Sequence, residues 1–170
     1  MAVSSINSIK VKYVMGKFIS KMSLLTLFSV AFGHLEGVVV VYIRNILLKP
    51  IPIEEWAKAT IVGVMREYNL LFIEQTREAA TIVILLSLSI LVGRTFLEKF
   101  CIFLWTFAIW DIFYYVALYI FLGWPPSLFT QDCYFLIPYP WIGPVILPIG
   151  VSVLILIITG YVLFKINIRN

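Results

Sequence analysis

Four long apolar stretches, at about residues 22–44, 71–93, 100–122 and 141–164, constrain this chain more than any other feature. At about 1.5 Å of rise per residue, each can cross a hydrocarbon core of about 30 Å as a helix. A soluble domain of 170 residues cannot enclose all four in its own core. Composition agrees, with 62% hydrophobic and 13% charged residues, where soluble domains carry roughly 25% charged. Disordered, collagen-like and disulfide-rich secreted classes are excluded on the same grounds. The expected fold is all-α, a polytopic membrane protein with four transmembrane helices.

Between the spans the chain is punctuated. Residues 1–21 hold Lys10, Lys12, Lys17 and Lys21 and no acid, and read as a basic cytoplasmic N-terminal segment. The start resembles a signal peptide, but the apolar run continues through His34 and Glu36 with no small-x-small cleavage site, so a retained first span is expected. Residues 22–165 form the four-helix transmembrane domain and 166–170 a cytoplasmic tail. After the turn at Lys49-Pro50-Ile51-Pro52, residues Ile53, Trp56, Ala57, Ile61, Val64 and Met65 recur at helical spacing among charges. That pattern predicts an interfacial amphipathic helix over 53–68. Residues 125–140 are bounded by prolines and carry Gln131, Asp132, Phe129, Tyr134 and Phe135. They are too short to span and read as an outer interfacial or partly re-entrant segment. The fourth span then starts at Trp141, with Pro144 and Pro148 in its first turns, where a missing N–H matters least.

The net charge of +4 sorts by side. One side holds Lys10, Lys12, Lys17, Lys21, Arg94, Lys99, Lys165 and Arg169 against Glu98 alone. The other mixes Lys49, Lys58 and Arg66 with Glu54, Glu55 and Glu67. The positive-inside rule puts both termini in the cytoplasm of a cell whose inner membrane holds the chain. A basic balance of this kind gives no reason to expect nucleic acid. Cys101 and Cys133 lack CxxC spacing and fall near opposite faces, so neither a disulfide nor a thiol–disulfide oxidoreductase is expected.

Ionisable groups inside spans cost roughly 2.5–3.5 kcal/mol each on insertion scales, so they face protein or a water-filled cavity. His34, Glu36, Glu74, Arg77, Glu78 and Asp111 all fall between mid-membrane and the outer half. Glu74, Arg77, Glu78 and Thr81 follow i, i+3, i+4, i+7, one face of a helix. Asp111, Tyr114 and Tyr115 share another, and Gly33 and Gly37 form a small-xxx-small ridge for helix packing. One buried cluster is expected, made of His34, Glu36, Glu74, Arg77, Glu78, Asp111, Tyr114 and Tyr115, capped by Asp132, with Arg44 above. Its carboxylates outnumber Arg77, so protonated acids, a metal ion or a His34 cation would complete the balance. Two readings of such a cluster stand together: a site for chemistry or transport, and a network that only locks helix packing.

Motif spacing excludes several chemistries. There is no Glu-x-x-His, no His-Glu-x-x-His, no Gly-x-Gly-x-x-Gly, no P-loop and no Gly-x-Ser-x-Gly. One histidine cannot give bis-His haem ligation. His34 and Glu36 lie about 200° apart on a helix and do not easily reach one ion. No catalytic residue, metal ligand or cofactor is assigned by the sequence.

The phrases FGHLEGVVVVYIR (32–44), EQTREAAT (74–81), FAIWDIFYY (107–115), GWPPSLFTQD (123–132) and FLIPYPWIGPVILP (135–148) resemble a family of uncharacterised small prokaryotic four-span inner-membrane proteins. The resemblance implies a free-standing four-span protein over about 22–165 and carries over no catalytic residue. Three functions stay open. The first is a proton or ion pathway, or a small polar ligand site, in the carboxylate–arginine–tyrosine cluster. The second is an accessory or assembly subunit of a larger membrane complex. The third is a metal-dependent membrane enzyme. The partners expected are the lipid bilayer and either other membrane subunits or a second copy docked through Gly33 and Gly37.

Overall fold

The computed structural model describes residues 2–47 and 61–169. Helix α1 spans Ala2–Leu47, α2 Ile61–Glu67, α3 Leu71–Val92 and α4 Phe96–Leu122; strands β1 (Gln131–Phe135) and β2 (Trp141–Pro144) precede α5, Ile146–Arg169. Four helices are long and apolar enough to cross a membrane. Helix α4 is the hub, packing against α1, α5 and α3. Leu85, Ile102, Leu118 and Val145 are wholly or almost wholly buried. Yet Ser29, Thr81, Ser89, Thr106, Ser152 and Thr159 are buried as deeply, while Phe72, Leu91, Ile157 and other large apolar side chains lie on the surface. Polarity is thus highest inside and lowest outside, the reverse of a soluble bundle.

Three sequence expectations are corrected. Residues 2–21 are no separate segment: α1 runs unbroken for 46 residues, about 69 Å of helix. Its first turns contain no Pro and only Gly16 as a weak breaker, so nothing stops propagation. The chain is also not all-α. The Pro-rich segment after α4 forms an antiparallel hairpin pairing Gln131 with Pro144, Asp132 with Gly143 and Cys133 with Ile142, with a bulge between Cys133 and Phe135. Pairing satisfies the backbone groups that face each other across the two strands. Pairing continues beyond the strands, where Val145 donates to Thr130 O (3.0 Å) and Ile146 to Leu128 O (2.8 Å). Because β2 takes 141–144, the last helix begins at Ile146 rather than Trp141. Pro144 therefore ends a strand, and only Pro148 sits in the helix's first turn.

Helix α4 begins earlier than expected, at Phe96. The Thr95 side chain accepts from Glu98 N (3.2 Å), while Glu98 Oε2 accepts from Arg94 N (2.9 Å), an N-terminal cap that the apolar pattern alone does not reveal. Gly123, in the left-handed region at φ 64°, closes its other end. Of the expected interfacial helix over 53–68, residues 53–60, with Trp56 and Lys58, lie outside the described residues. Helix α2 buries Val62 and Met65 against Leu136 and leaves Arg66 and Glu67 exposed.

The Gly33–Gly37 ridge is consumed within the chain. A Cβ at Gly37 would lie 2.6 Å from the Ala117 Cβ, and one at Gly33 would collide with the Trp110 carbonyl. Both glycines are buried where α1 packs on α4, so the ridge is occupied by contacts within the chain. Gly37→Val is therefore expected to destabilise the fold by about 1–3 kcal/mol through overpacking. Gly150→Ala, with nothing within 4 Å, should be neutral or gain up to about 1 kcal/mol. Reversible unfolding of the two variants in detergent checks the pair.

Candidate functional site: a polar chamber at one end of the bundle

At one end of the bundle, the C-terminal half of α1, the start of α3, the middle of α4 and the hairpin enclose a cavity of about 60 Å³, room for a few water-sized groups. Glu36, Glu74, Arg77, Glu78, Asp111, Tyr114, Tyr115 and Asp132 all line it. Helical periodicity explains the convergence. On α3, one face carries Glu74, Arg77, Glu78 and Thr81. On α1, the 33–37 ridge that docks on α4 continues upward as Val40, Val41 and Arg44, all buried.

The charges are organised in two groups. Arg77 bridges helices: its Nε donates to Glu74 Oε2 (2.9 Å) on its own turn, and its Nη1 is bonded to Glu36 of α1. Arg44 Nη2 donates to Asp132 Oδ1 at 3.0 Å, with both side chains only 4% exposed. The other Asp132 oxygen accepts from the Tyr115 hydroxyl at 3.2 Å. The Arg44 guanidinium also stacks on the Trp124 ring, 3.7 Å from its centroid. Arg44 and Asp132 thus clamp the hairpin onto α1.

Two carboxylates are held by neutral donors. Glu78 Oε2 accepts from Leu136 N (2.8 Å), and Asp111 Oδ2 accepts from Ser152 Oγ (2.8 Å) on α5. Nearby, Gln75 Nε2 donates to Leu136 O (3.2 Å), so α3 grips the exit of β1 at both backbone groups of one residue. Trp110, on the cavity wall, has a buried indole N–H without a hydrogen-bond partner among the described residues. Tyr114 stacks on Trp110 and meets Tyr115 edge-on at 5.1 Å between centroids.

His34 is the correction. It is exposed and its ring packs beside Phe121, 5.6 Å between centroids, outside the chamber. Glu36 points inward, and a residue two positions away on a helix points about 200° from it. His34 therefore contributes no cation to the chamber. Conversely, Arg44 is one of the residues that line it, and sequence reasoning marks neither Trp110 nor Ser152. A signal for Ser152 exists: Ser152 and Thr159 are seven apart and both buried, so they mark the inward stripe of an otherwise uniformly apolar helix. Among the described residues, no three His, Cys, Asp or Glu side chains converge as a metal site would need. Comparison with protein-family profiles, with curated proteins and with solved structures finds no match.

Two outcomes follow from this geometry. Arg77→Met should cost about 3–5 kcal/mol, because it strands Glu36 and Glu74. Adding Glu36→Gln to it should then cost less than the sum of the two single changes, with a coupling of about 1 kcal/mol or more in a double-mutant cycle; strict additivity would contradict the bridge. Burial, with Asp132 and Glu78 adding to it, pushes the Cys133 thiol up to about 12. Maleimide labelling of Cys133 should accordingly be slow at pH 7 and rise steadily to pH 10, since only the thiolate reacts. A plateau near pH 8 would refute the raised value.

Proposed function

We propose that this chain is a multi-pass membrane protein that binds a small cation in the chamber, with the chamber facing outward and both termini cytoplasmic. One observation carries the reading: five carboxyl groups (Glu36, Glu74, Glu78, Asp111 and Asp132) share one small cavity with two guanidinium groups (Arg44 and Arg77). Arg77 is engaged by Glu36 and Glu74, and Arg44 by Asp132. Glu78 and Asp111 make no ion pair among the described residues and accept instead from uncharged groups, the Leu136 N–H and the Ser152 hydroxyl. A buried surplus of negative charge binds protons or a cation. The aromatic wall of Trp110, Tyr114 and Tyr115 suits a small organic ammonium group.

A binding site is favoured over a through-going proton or ion path. Below the chamber the buried polar groups are hydroxyls, and they bond to their own helices: Ser29 to Leu25 O, Thr106 to Ile102 O and Thr159 to Ile155 O. Among the described residues, no buried charge lies between Asp111 and the basic opposite end, a stretch of roughly 20 Å along α4. The inverted polarity of the bundle and the basic residues gathered at the end opposite the chamber support the membrane reading and its orientation.

Two measurements test this. Reporter fusions after residue 97 and at the C-terminus should report cytoplasm, and a fusion near residue 128 the outside; an external C-terminus overturns the orientation. In detergent at pH 7, sodium, ammonium, guanidinium and tetramethylammonium chlorides are each compared with choline-free buffer of equal ionic strength. At least one should raise the melting temperature of the parent protein, and the rise should vanish in Asp111→Asn. No response to any of the four overturns the cation site.

A further inference from the structure

The opposite end of the bundle holds a recess of about 330 Å³ that the acidic chamber does not explain. Its rim is basic, with Lys17 and Lys21 on α1 and Arg94 in the turn between α3 and α4. Glu98 is the one acid on it among the described residues, and both its oxygens are engaged: Oε1 with Lys21 Nζ at 2.5 Å, Oε2 with Arg94 N at 2.9 Å. Lys17 and Arg94 remain exposed beside it. From α5, the buried side-chain N–H₂ of Asn167 lines the recess and has no hydrogen-bond partner among the described residues. The recess therefore offers donors and positive charge in excess of acceptors.

Deeper in, the walls become apolar, and two grooves leave the recess. One, of about 400 Å³, shares Lys17, Lys21 and Val92 with it and continues along Leu24, Phe28 and Leu88 between α1 and α3. The other, of about 450 Å³, shares Phe18 and Met22 and continues along α1 past Thr26 to Val30. We propose that this end binds one anionic two-chain phospholipid, with its headgroup phosphate at Lys17, Arg94 and Asn167 and one acyl chain in each groove. Two apolar grooves diverging from one basic recess match an amphiphile with two tails and one negative head. Free phosphate would use the recess and leave both grooves unfilled. A zwitterionic lipid would bring a cation to a rim that is already positive. The proposal rests on the reading that the helices cross a bilayer, and it is independent of the cation site.

The test uses the full-length protein, delipidated in mild detergent and titrated with dioleoyl phosphatidylglycerol, dioleoyl phosphatidylcholine or inorganic phosphate, with bound species counted by native mass spectrometry. Phosphatidylglycerol should saturate at one molecule per chain, bind at least about tenfold tighter than phosphatidylcholine, and resist millimolar phosphate. Each cation beside an anionic headgroup contributes about fivefold, so the Lys17→Gln, Arg94→Gln double variant should lose about twenty-five-fold in affinity. Ser20→Trp, which fills the mouth of the first groove, should weaken lipid binding as well. Equal binding of the two lipids overturns the proposal. So does undiminished phosphatidylglycerol affinity in either variant when its melting temperature matches that of the parent. Displacement by phosphate makes the recess a phosphate site and overturns the lipid assignment. Flotation of the same preparation with vesicles separates the two readings: protein that fails to float refutes membrane insertion, whereas protein that floats without lipid preference refutes this site alone.

Discussion

At the chamber end, helix α3 is held to the rest of the molecule by polar groups, and that constraint shapes the site there. Its buried residues are Glu74, Thr81, Leu85 and Ser89, so only one of them is apolar. Its other faces present Phe72, Ile73, Val83 and Leu91 outward. Its apolar contacts are Leu71 at its start and Leu85, Leu88 and Val92 toward its C-terminus, and between them α3 is positioned by Arg77 on Glu36, Glu78 on Leu136 N and Gln75 on Leu136 O. Between apolar surfaces, helix association has little hydrophobic drive if lipid surrounds the bundle. The penalty for an unsatisfied buried charge then becomes the main reason for α3 to sit in one place.

The rest of the bundle follows a different rule. Where α1, α4 and α5 meet, small residues and self-satisfied hydroxyls join apolar clusters such as Leu25, Ile102 and Leu163. Gly33 and Gly37 bring α1 onto α4, and Gly160 of α5 lies against the Trp105 ring. The Trp105 indole in turn donates to Thr26 Oγ1 on α1 (3.2 Å). Close approach multiplies dispersion contacts, the packing term available without a hydrophobic contribution. Between the chamber and the basic end, the buried groups among the described residues are apolar or hydroxyl-bearing.

Where the sequence was readable, periodicity was the reason. The i, i+3, i+4, i+7 set on α3 and the Asp111–Tyr114–Tyr115 set on α4 line the same cavity because each lies on one helix face. His34 falls outside the chamber because the Gly33–Gly37 ridge carries Glu36 on one flank and His34 on the other, and only the Glu36 flank faces α3. The hairpin was hidden because Phe135–Trp141 is apolar without alternation and is interrupted by Pro138 and Pro140. Its register comes from tertiary anchors, Asp132 to Arg44 and Leu136 to Glu78, that no local pattern encodes. The long continuation of α1 toward Ala2 was missed for the opposite reason. Helix propensity continues through the lysine-rich stretch, while the expected boundary rested on hydropathy.

A strand at this place does something a helix could not. All five residues from Asp132 to Leu136 line the chamber, whereas a helix would turn only every third or fourth residue toward it. The bulge between Cys133 and Phe135 makes this geometry workable, because an extra residue re-aims the side chains beyond it. Before the bulge, Asp132 reaches Arg44 and Tyr115. After it, Phe135 stacks on Phe107 at 6.1 Å and approaches Trp110, closing the chamber against α4. Gly143 opposite leaves space for Tyr134, whose hydroxyl donates to Pro144 O at 2.6 Å; a Cβ at Gly143 would lie 2.5 Å from that hydroxyl. The Tyr134 bond fixes β1 on β2, and the start of α5 follows directly from β2. Ser152, on the second turn of α5, is thereby set where it meets Asp111. The hairpin thus positions two of the chamber's carboxylates, one through its own strand and one through the helix it leads into.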